Sequence, residues 1–359
     1  MNESLKKVFV HQRRHDDAIL KLLENTTIGT NGAKYQHLHT AKKINDLFKP
    51  HFFTIFRNKK AIANITLCER PIYVKSQAVN TIYVRYFAFD AIFQTKNKTK
   101  KRDRSSLFQQ YIKALFDTSN LNVFQPEFKP SVFWAIVDPF NDRSWDMANR
   151  FGFETIANMK TFAFSRFFPK DNPKVSRLSA TEEDLTWHAI QEFYKAHTNL
   201  TKVHLFKHNN YFVYKEDNKI VAGIQANKTS WQIKALPGLR GKLLVNLLPY
   251  VPLINRIINP KHYEFLSTEG LFWKSGHEDK VRPLLEAVLA QQNCHSLLIW
   301  IDSRDKKLEC TLKSTKLGLL QRLKNDNPVE ILAKFNHFPQ DLKANMINSC
   351  HYITGFDTT

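Results

Sequence analysis

The sequence predicts a mixed α/β (α+β) protein built as two tandem copies of one domain, and three observations predict it. The chain has 359 residues, 43% of them hydrophobic and 13% aromatic, enough to bury two sizeable cores. Only 10 glycines and 14 prolines are present, too few for a collagen-like or linker-rich chain. The order of elements also repeats: Phe53 recurs as Phe212 and Gly152 as Gly318, an offset of roughly 160 residues.

In the first copy, DDAILKLLENT (16–26) puts Ile19, Leu20, Leu22 and Leu23 on one helical stripe. HFFTIFRNKKAIANITLCE reads as strands 52–56 and 61–68 joined by a turn at Arg57–Lys60. Residues 80–93, rich in aromatic and β-branched side chains, form a long strand. A basic loop (94–104) follows, then a helix capped by Ser105 or Ser106 with Leu107, Phe108, Tyr111, Ile112 and Leu115 on one face. After Pro126 and Pro130, SVFWAIVD is a buried strand, and a further helix ends at Gly152. This domain spans 1–168, and the polar, apolar-poor segment 169–179 is expected to be a linker.

The second copy, 180–359, repeats this series. A helix with acidic residues in its first turn precedes a hairpin around Glu216–Lys219. Long strand 263–273, loop KSGHED, a helix, strand SLLIWID and a helix ending at Gly318 follow. This copy also carries an insertion at 236–262. That segment is read either as a helical excursion packed on its domain or as a membrane-surface helix or substrate lid.

Strand, hairpin, long strand, loop, helix and strand, followed by a helix with Asn141, Ser144, Met147, Arg150, Gly152 and Phe153, resembles the acetyl-CoA-binding pattern of GCN5-related N-acetyltransferases, the GNAT superfamily. Lys316–Leu319 is a fainter echo. The resemblance implies two GNAT-like domains, each a mixed, mostly antiparallel sheet with helices on both faces. It also implies acetyl-CoA or another acyl-CoA as co-substrate, its pantetheine lying as an added strand along 80–93 near Phe89. Its phosphates would meet the loop and helix N-terminus, with Lys100, Lys101, Arg102, Arg104, Ser105 and Ser106 as candidates beside Asn141. In the second copy the corresponding residues are Ser275 and Gly276.

Two departures from the family pattern stand out. KKRDRSSLF lacks the glycines that let a backbone approach phosphates, and KSGHED keeps only Gly276. Ala148 and Ser314 stand where many members carry a tyrosine as general acid. Glu69, Asp90 and Glu269 are the carboxylates nearest the places of a catalytic base, each more readily read as a solvated or paired strand-end acid.

The formal charge of +20 suits polyanionic partners: an acidic acyl carrier protein, an anionic membrane surface or RNA. Two functions are therefore expected as alternatives. One is N-acyl transfer from an acyl thioester to a primary amine. The other is non-catalytic binding of an anionic partner by a degenerate acyltransferase fold. No G-x-S-x-G, P-loop, G-x-G-x-x-G or H-E-x-x-H is present, so hydrolase, nucleotide triphosphatase, dehydrogenase and zinc-protease readings lack their minimal residues, and no metal is expected. Cys68, Cys294, Cys310 and Cys350 form no C-x-x-C pair. With no secretory leader pattern in the first residues, a reducing, cytoplasmic setting is expected. Segment 243–259, broken by Pro249 and Pro252, is too short to span a bilayer.

Overall fold

A computed structural model describes residues 1, 3–29, 33–74, 77–90, 107–121, 123–125, 127–138, 140–247, 250–324 and 329–359. The first half runs α1 (Glu3–Lys6), β1 (Val10–Gln12), α2 (Asp17–Glu24), β2 (Lys34–His37), α3 (Thr40–Asn45), β3 (Pro50–Arg57), β4 (Lys60–Val74), β5 (Gln77–Phe89), α4 (Leu107–Leu115), β6 (Val132–Val137), α5 (Asp142–Arg150) and β7 (Glu154–Ser165). The second runs β8 (Val175–Arg177), α6 (Glu183–Phe193), β9 (His197–Leu200), β10 (Tyr211–Glu216), β11 (Lys219–Ala235), α7 (Gly238–Leu247), α8 (Pro252–Asn255), β12 (Tyr263–Trp273), α9 (Val281–Gln291), β13 (Ser296–Asp302), α10 (Lys306–Ser314), α11 (Leu319–Leu323), β14 (Val329–Phe335), α12 (Gln340–Asn348), β15 (Cys350–His351) and α13 (Gly355–Thr358).

The element orders β3-β4-β5-α4-β6-α5 and β10-β11-β12-α9-β13-α10 run alike, followed by β7 in the first and by α11 and β14 in the second. Both hairpins turn where expected, with Asn58 and Lys59 at φ 50° and 62°, and Asp217 and Asn218 at 47° and 59°. Left-handed dihedrals at both central turn positions match the twist of the flanking strands, and Asn and Asp tolerate them better than most residues.

The strands join into one 15-stranded sheet, whose main path runs β1-β3-β4-β5-β6-β14-β7-β13-β12-β11-β10-β8. The two halves trade their last strands. β14 pairs with β6 along Val132–Val137, and β7 pairs with β13 through Met159–Ser165. The traded strands also pair with each other, Val329 opposite Met159 and Ala333 opposite Glu154. β2 joins β11, and β9 joins β4, so the boundary drawn at residue 168 is crossed several times. Part of 169–179, expected as linker, forms β8 instead. Val175 is buried there, and β8 pairs with β10 because that edge is otherwise open.

The sheet separates apolar layers. Leu5, Phe53, Ile65, Ile82, Ile112, Phe133 and Phe153 lie on the α4–α5 face of the first half. Phe52, Cys68, Tyr83, Trp134, Phe265, Trp300 and Ile331 fill the layer between the halves. Strand alternation explains the division: Phe52 and Phe53 are neighbours in sequence and enter different cores. Among the described residues, no helix is long and apolar enough to cross a membrane.

Candidate active site

β5 and β6 run parallel but are paired only over Thr81–Tyr83 and Val132–Trp134. Beyond Tyr83 they diverge, and β5 continues to Phe89 paired with β4. On its other side, main-chain groups of Val84–Ala88 have no strand partner among the described residues, an open edge of the kind that accepts an extended ligand. A bulge interrupts β5 here: Arg85 faces Thr66 and Ala88 faces Asn64, so Tyr86 and Phe87 share a single partner position. Tyr86 takes φ 49°, an uncommon conformation for a bulky residue, held in part by Asn64 Nδ2 donating to its carbonyl at 3.2 Å.

A cavity of about 450 Å³ occupies the gap, lined by side chains from both faces of the sheet. On the α4–α5 face it is walled by Val84, Phe87, Phe116, Ala135, Phe151 and Phe153. On the other face, Tyr35, His37, Trp231, Leu298 and Trp300 wall it, contributed by β2 and the second half. Asn141, Ser144 and Ala148 of the motif helix line it as well. Asn141 caps α5, its side chain accepting from Ser144 N–H at 3.4 Å, so one face of that helix turns to the cavity. Burial pushes the Tyr35 phenol up to about 12 and His37 down to about 3, which keeps both neutral.

At the narrow end of the gap sits the last turn of the described chain. Tyr83 Oη donates to Asp357 O at 2.6 Å and Arg85 Nη1 to Phe356 O at 2.9 Å, while Arg85 Nη2 reaches Thr359 O. Arg70, fully buried, holds the Asp357 carboxylate with two bonds of 2.9 and 2.8 Å. Lys43 Nζ donates to Thr359 Oγ1 and lies 4.1 Å from the Phe356 ring centre. Burial and the neighbouring Arg85 charge hold its ammonium well below the usual lysine range.

The second half repeats the divergence but not the opening. β12 and β13 pair only at Leu266–Ser267 with Leu297–Leu298, and the chain's own segment 351–353 fills the space between them, leaving about 20 Å³. Glu269 lines that remnant, with neither carboxylate oxygen hydrogen-bonded, and burial and the Asp357 charge raise it to about 8.

The candidate residues read from the sequence thus fall in different places. Asn141 lines the cavity. Phe89 ends β5 and packs with Phe87, ring centres 5.0 Å apart. Asp90 follows it and is bound to Lys60 Nζ at 2.6 Å. Glu69 lies apart from the cavity, in a cluster with His51 (3.1 Å), Arg13 (3.2 Å) and Lys49 (3.3 Å). Burial would raise its carboxyl, but the bond to His51 and the Lys49 and Arg13 charges outweigh this and hold it below the ordinary value. Ser275 and Gly276 form an exposed turn beside Glu216, away from the cavity. Lys100, Lys101, Arg102, Arg104, Ser105 and Ser106 lie outside the described residues. Arg70, Arg85, Lys43 and Tyr86 went unread in the sequence. Arg70 and Arg85 are spaced as ordinary strand residues, and only their common target, α13, brings them together. Among the described residues, no group of three or more His, Cys, Asp or Glu side chains is placed to hold a metal.

No sequence family model matches the chain, and no curated protein sequence does. Solved structures do. Saccharomyces cerevisiae N-myristoyltransferase with bound myristoyl-CoA is similar over 94% of this chain and 83% of that one, at TM-score 0.58 and 9% identity. A structure of the same enzyme with myristoyl-CoA and inhibitors aligns at TM-score 0.57 and 10% identity, covering 94% and 84%. A GCN5-related N-acetyltransferase from Sphaerobacter thermophilus aligns over 91% of this chain and 95% of its own, at TM-score 0.50 and 8% identity. Diverging parallel strands, the helix that Asn141 begins and these likenesses agree on a GNAT-like fold, one this chain shares with N-myristoyltransferase.

Proposed function

We propose that this protein is an N-acyltransferase, in which a primary amine attacks the thioester carbonyl of an acyl-CoA. The N–C bond forms as the C–S bond breaks, giving an amide and CoA, and the amine must arrive neutral to present its lone pair. One observation carries this reading: a strand edge, β5 from Val84 to Ala88, that has no strand partner among the described residues lies along a cavity lined from both faces of the sheet. A pantetheine arm pairs with such an edge as an added strand. The acyl donor is received between β5 and α5, and the amine comes from the face walled by Tyr35, His37 and Trp231. Holding the two reactants at one gap supplies most of what aminolysis of a thioester needs. Main-chain N–H groups at the Tyr86–Phe87 bulge are the donors suited to the carbonyl oxygen as it gains charge.

A volume of about 450 Å³ with largely apolar walls exceeds what an acetyl group needs and supports a long acyl chain. The bound myristoyl-CoA of the yeast neighbour supports the same choice. Ala148 offers no proton, so the leaving thiolate is protonated without a side chain from α5. Of the three carboxylates read from the sequence, Glu269 is the one electrostatically linked to the Asp357–Lys43 cluster, and it is proposed to tune that cluster. The first half is the catalytic one, because residues 351–353 close the equivalent space in the second.

Titration calorimetry with acetyl-CoA, CoA and myristoyl-CoA tests this. Myristoyl-CoA is expected to bind most tightly, and Ala148→Trp, which fills the cavity from α5, to abolish its binding with an unchanged circular dichroism spectrum. Absence of binding by all three ligands would overturn the proposal.

A further inference from the structure

The insertion between β11 and β12, residues 236–262, contains no Asp or Glu, yet it carries Arg240, Lys242, Arg256 and Lys261. Its inner side is accounted for: Ile257 and Ile258 are buried in the layer between the halves, and Leu244 and Ile254 pack against them. Its outer side is not. Tyr250 is 75% exposed and Leu243 59%, with Val251 and Leu253 exposed beside them. Phe168, 68% exposed, joins this surface from the segment after β7, with the Arg256 guanidinium 5.7 Å from its ring centre. Lys261 Nζ stands 5.9 Å from the Tyr250 ring centre. A single exposed apolar side chain is ordinary, whereas several large ones gathered on one short segment mark a contact surface.

We propose that this face docks on an anionic lipid bilayer. Charge decides between a bilayer and a protein partner. The segment presents cations unmixed with acids, so its field attracts a negatively charged surface. Aromatic rings beside Lys and Arg form the pairing suited to the boundary between headgroups and acyl chains, where the ring sinks and the ammonium or guanidinium stays among phosphates. A protein interface of ordinary kind would instead need many matched hydrogen-bond groups at its rim. Location agrees. Ile233 N–H donates to Pro260 O at 2.8 Å, which ties the far end of the insertion to the strand that carries Trp231 at the cavity wall. Docking there would set the bilayer next to the Tyr35 and Trp231 wall of the cavity. The inference does not rest on the acyltransferase reading, since it follows from this surface alone.

Co-sedimentation of the full chain with phosphatidylcholine vesicles, with and without phosphatidylglycerol, is the test. Binding is expected only to the anionic vesicles and should weaken as salt rises. The double variant Tyr250→Ser/Leu253→Ser should bind roughly tenfold more weakly. Lys261→Glu should weaken binding at low salt and flatten its dependence on salt. Because these side chains are outside the core, melting temperatures should match wild type, which separates loss of docking from loss of fold. Equal partitioning of wild type and variants would overturn the proposal. So would a lack of binding to anionic vesicles, or a dimer in sedimentation equilibrium that the double variant dissociates, which would assign the face to a second copy of this chain.

Discussion

At the scale of single residues, the cluster around Asp357 is where charge, burial and pH meet. Glu269 has a folded value of about 8 against an ordinary 4.5, so between those two pH values the folded chain holds a proton that the unfolded chain has released. Stability therefore falls as pH rises through that window. Glu269→Gln cannot ionise and escapes this loss, so its thermal stability relative to wild type should be higher near pH 8 than near pH 4.5. A constant difference across that range, read from melting curves at each pH, would show that the proton is not held. Arg70→Met leaves the Asp357 carboxylate buried beside a partial set of donors, and a loss of about 3–5 kcal/mol is expected in urea denaturation. Asn141 was legible beforehand because it opens the spaced pattern Asn141, Ser144, Met147, Arg150, Gly152 and Phe153, which lies within one short segment. Tyr86 was not, since a left-handed tyrosine is imposed by two strands of unequal length and leaves no mark in its own neighbourhood.

Among elements, α13 shows how a four-residue helix is kept in place by others. It receives Tyr83, Arg85 and Arg70 from β4 and β5, and it lies against β12 so closely that a Cβ on Gly355 would fall 2.2 Å from Thr268 O. Gly355→Ala must push α13 away from β12, with an expected loss of about 1–3 kcal/mol in unfolding free energy from denaturant titration. Myristoyl-CoA affinity should fall with it, because Asp357 and Thr359 also line the cavity. Unchanged affinity would uncouple the turn from the site. The hairpins were readable from alternation and turn chemistry, both local signals. β7 and β14 were not read as strands, and their partners explain why: Val329 pairs across to Met159, a contact that nothing within either segment announces.

For the whole molecule, the traded strands mean that neither half completes its own sheet. Calorimetry should show one cooperative transition, and residues 1–168 or 180–359 expressed alone should give broad, non-cooperative melting. Two separate transitions in the intact chain would contradict this. The similar element order of the two halves was legible in the sequence, but sequence order could not say which strand lies beside which. Two like units exchanging an end strand is the arrangement of a swapped homodimer. Written into one polypeptide, the exchange no longer depends on protein concentration, since the partner is always at hand. Such a pair is also released from symmetry. Once the units are joined, a change in one is not repeated in the other, and one gap can close around residues 351–353 while its counterpart keeps a cavity of about 450 Å³.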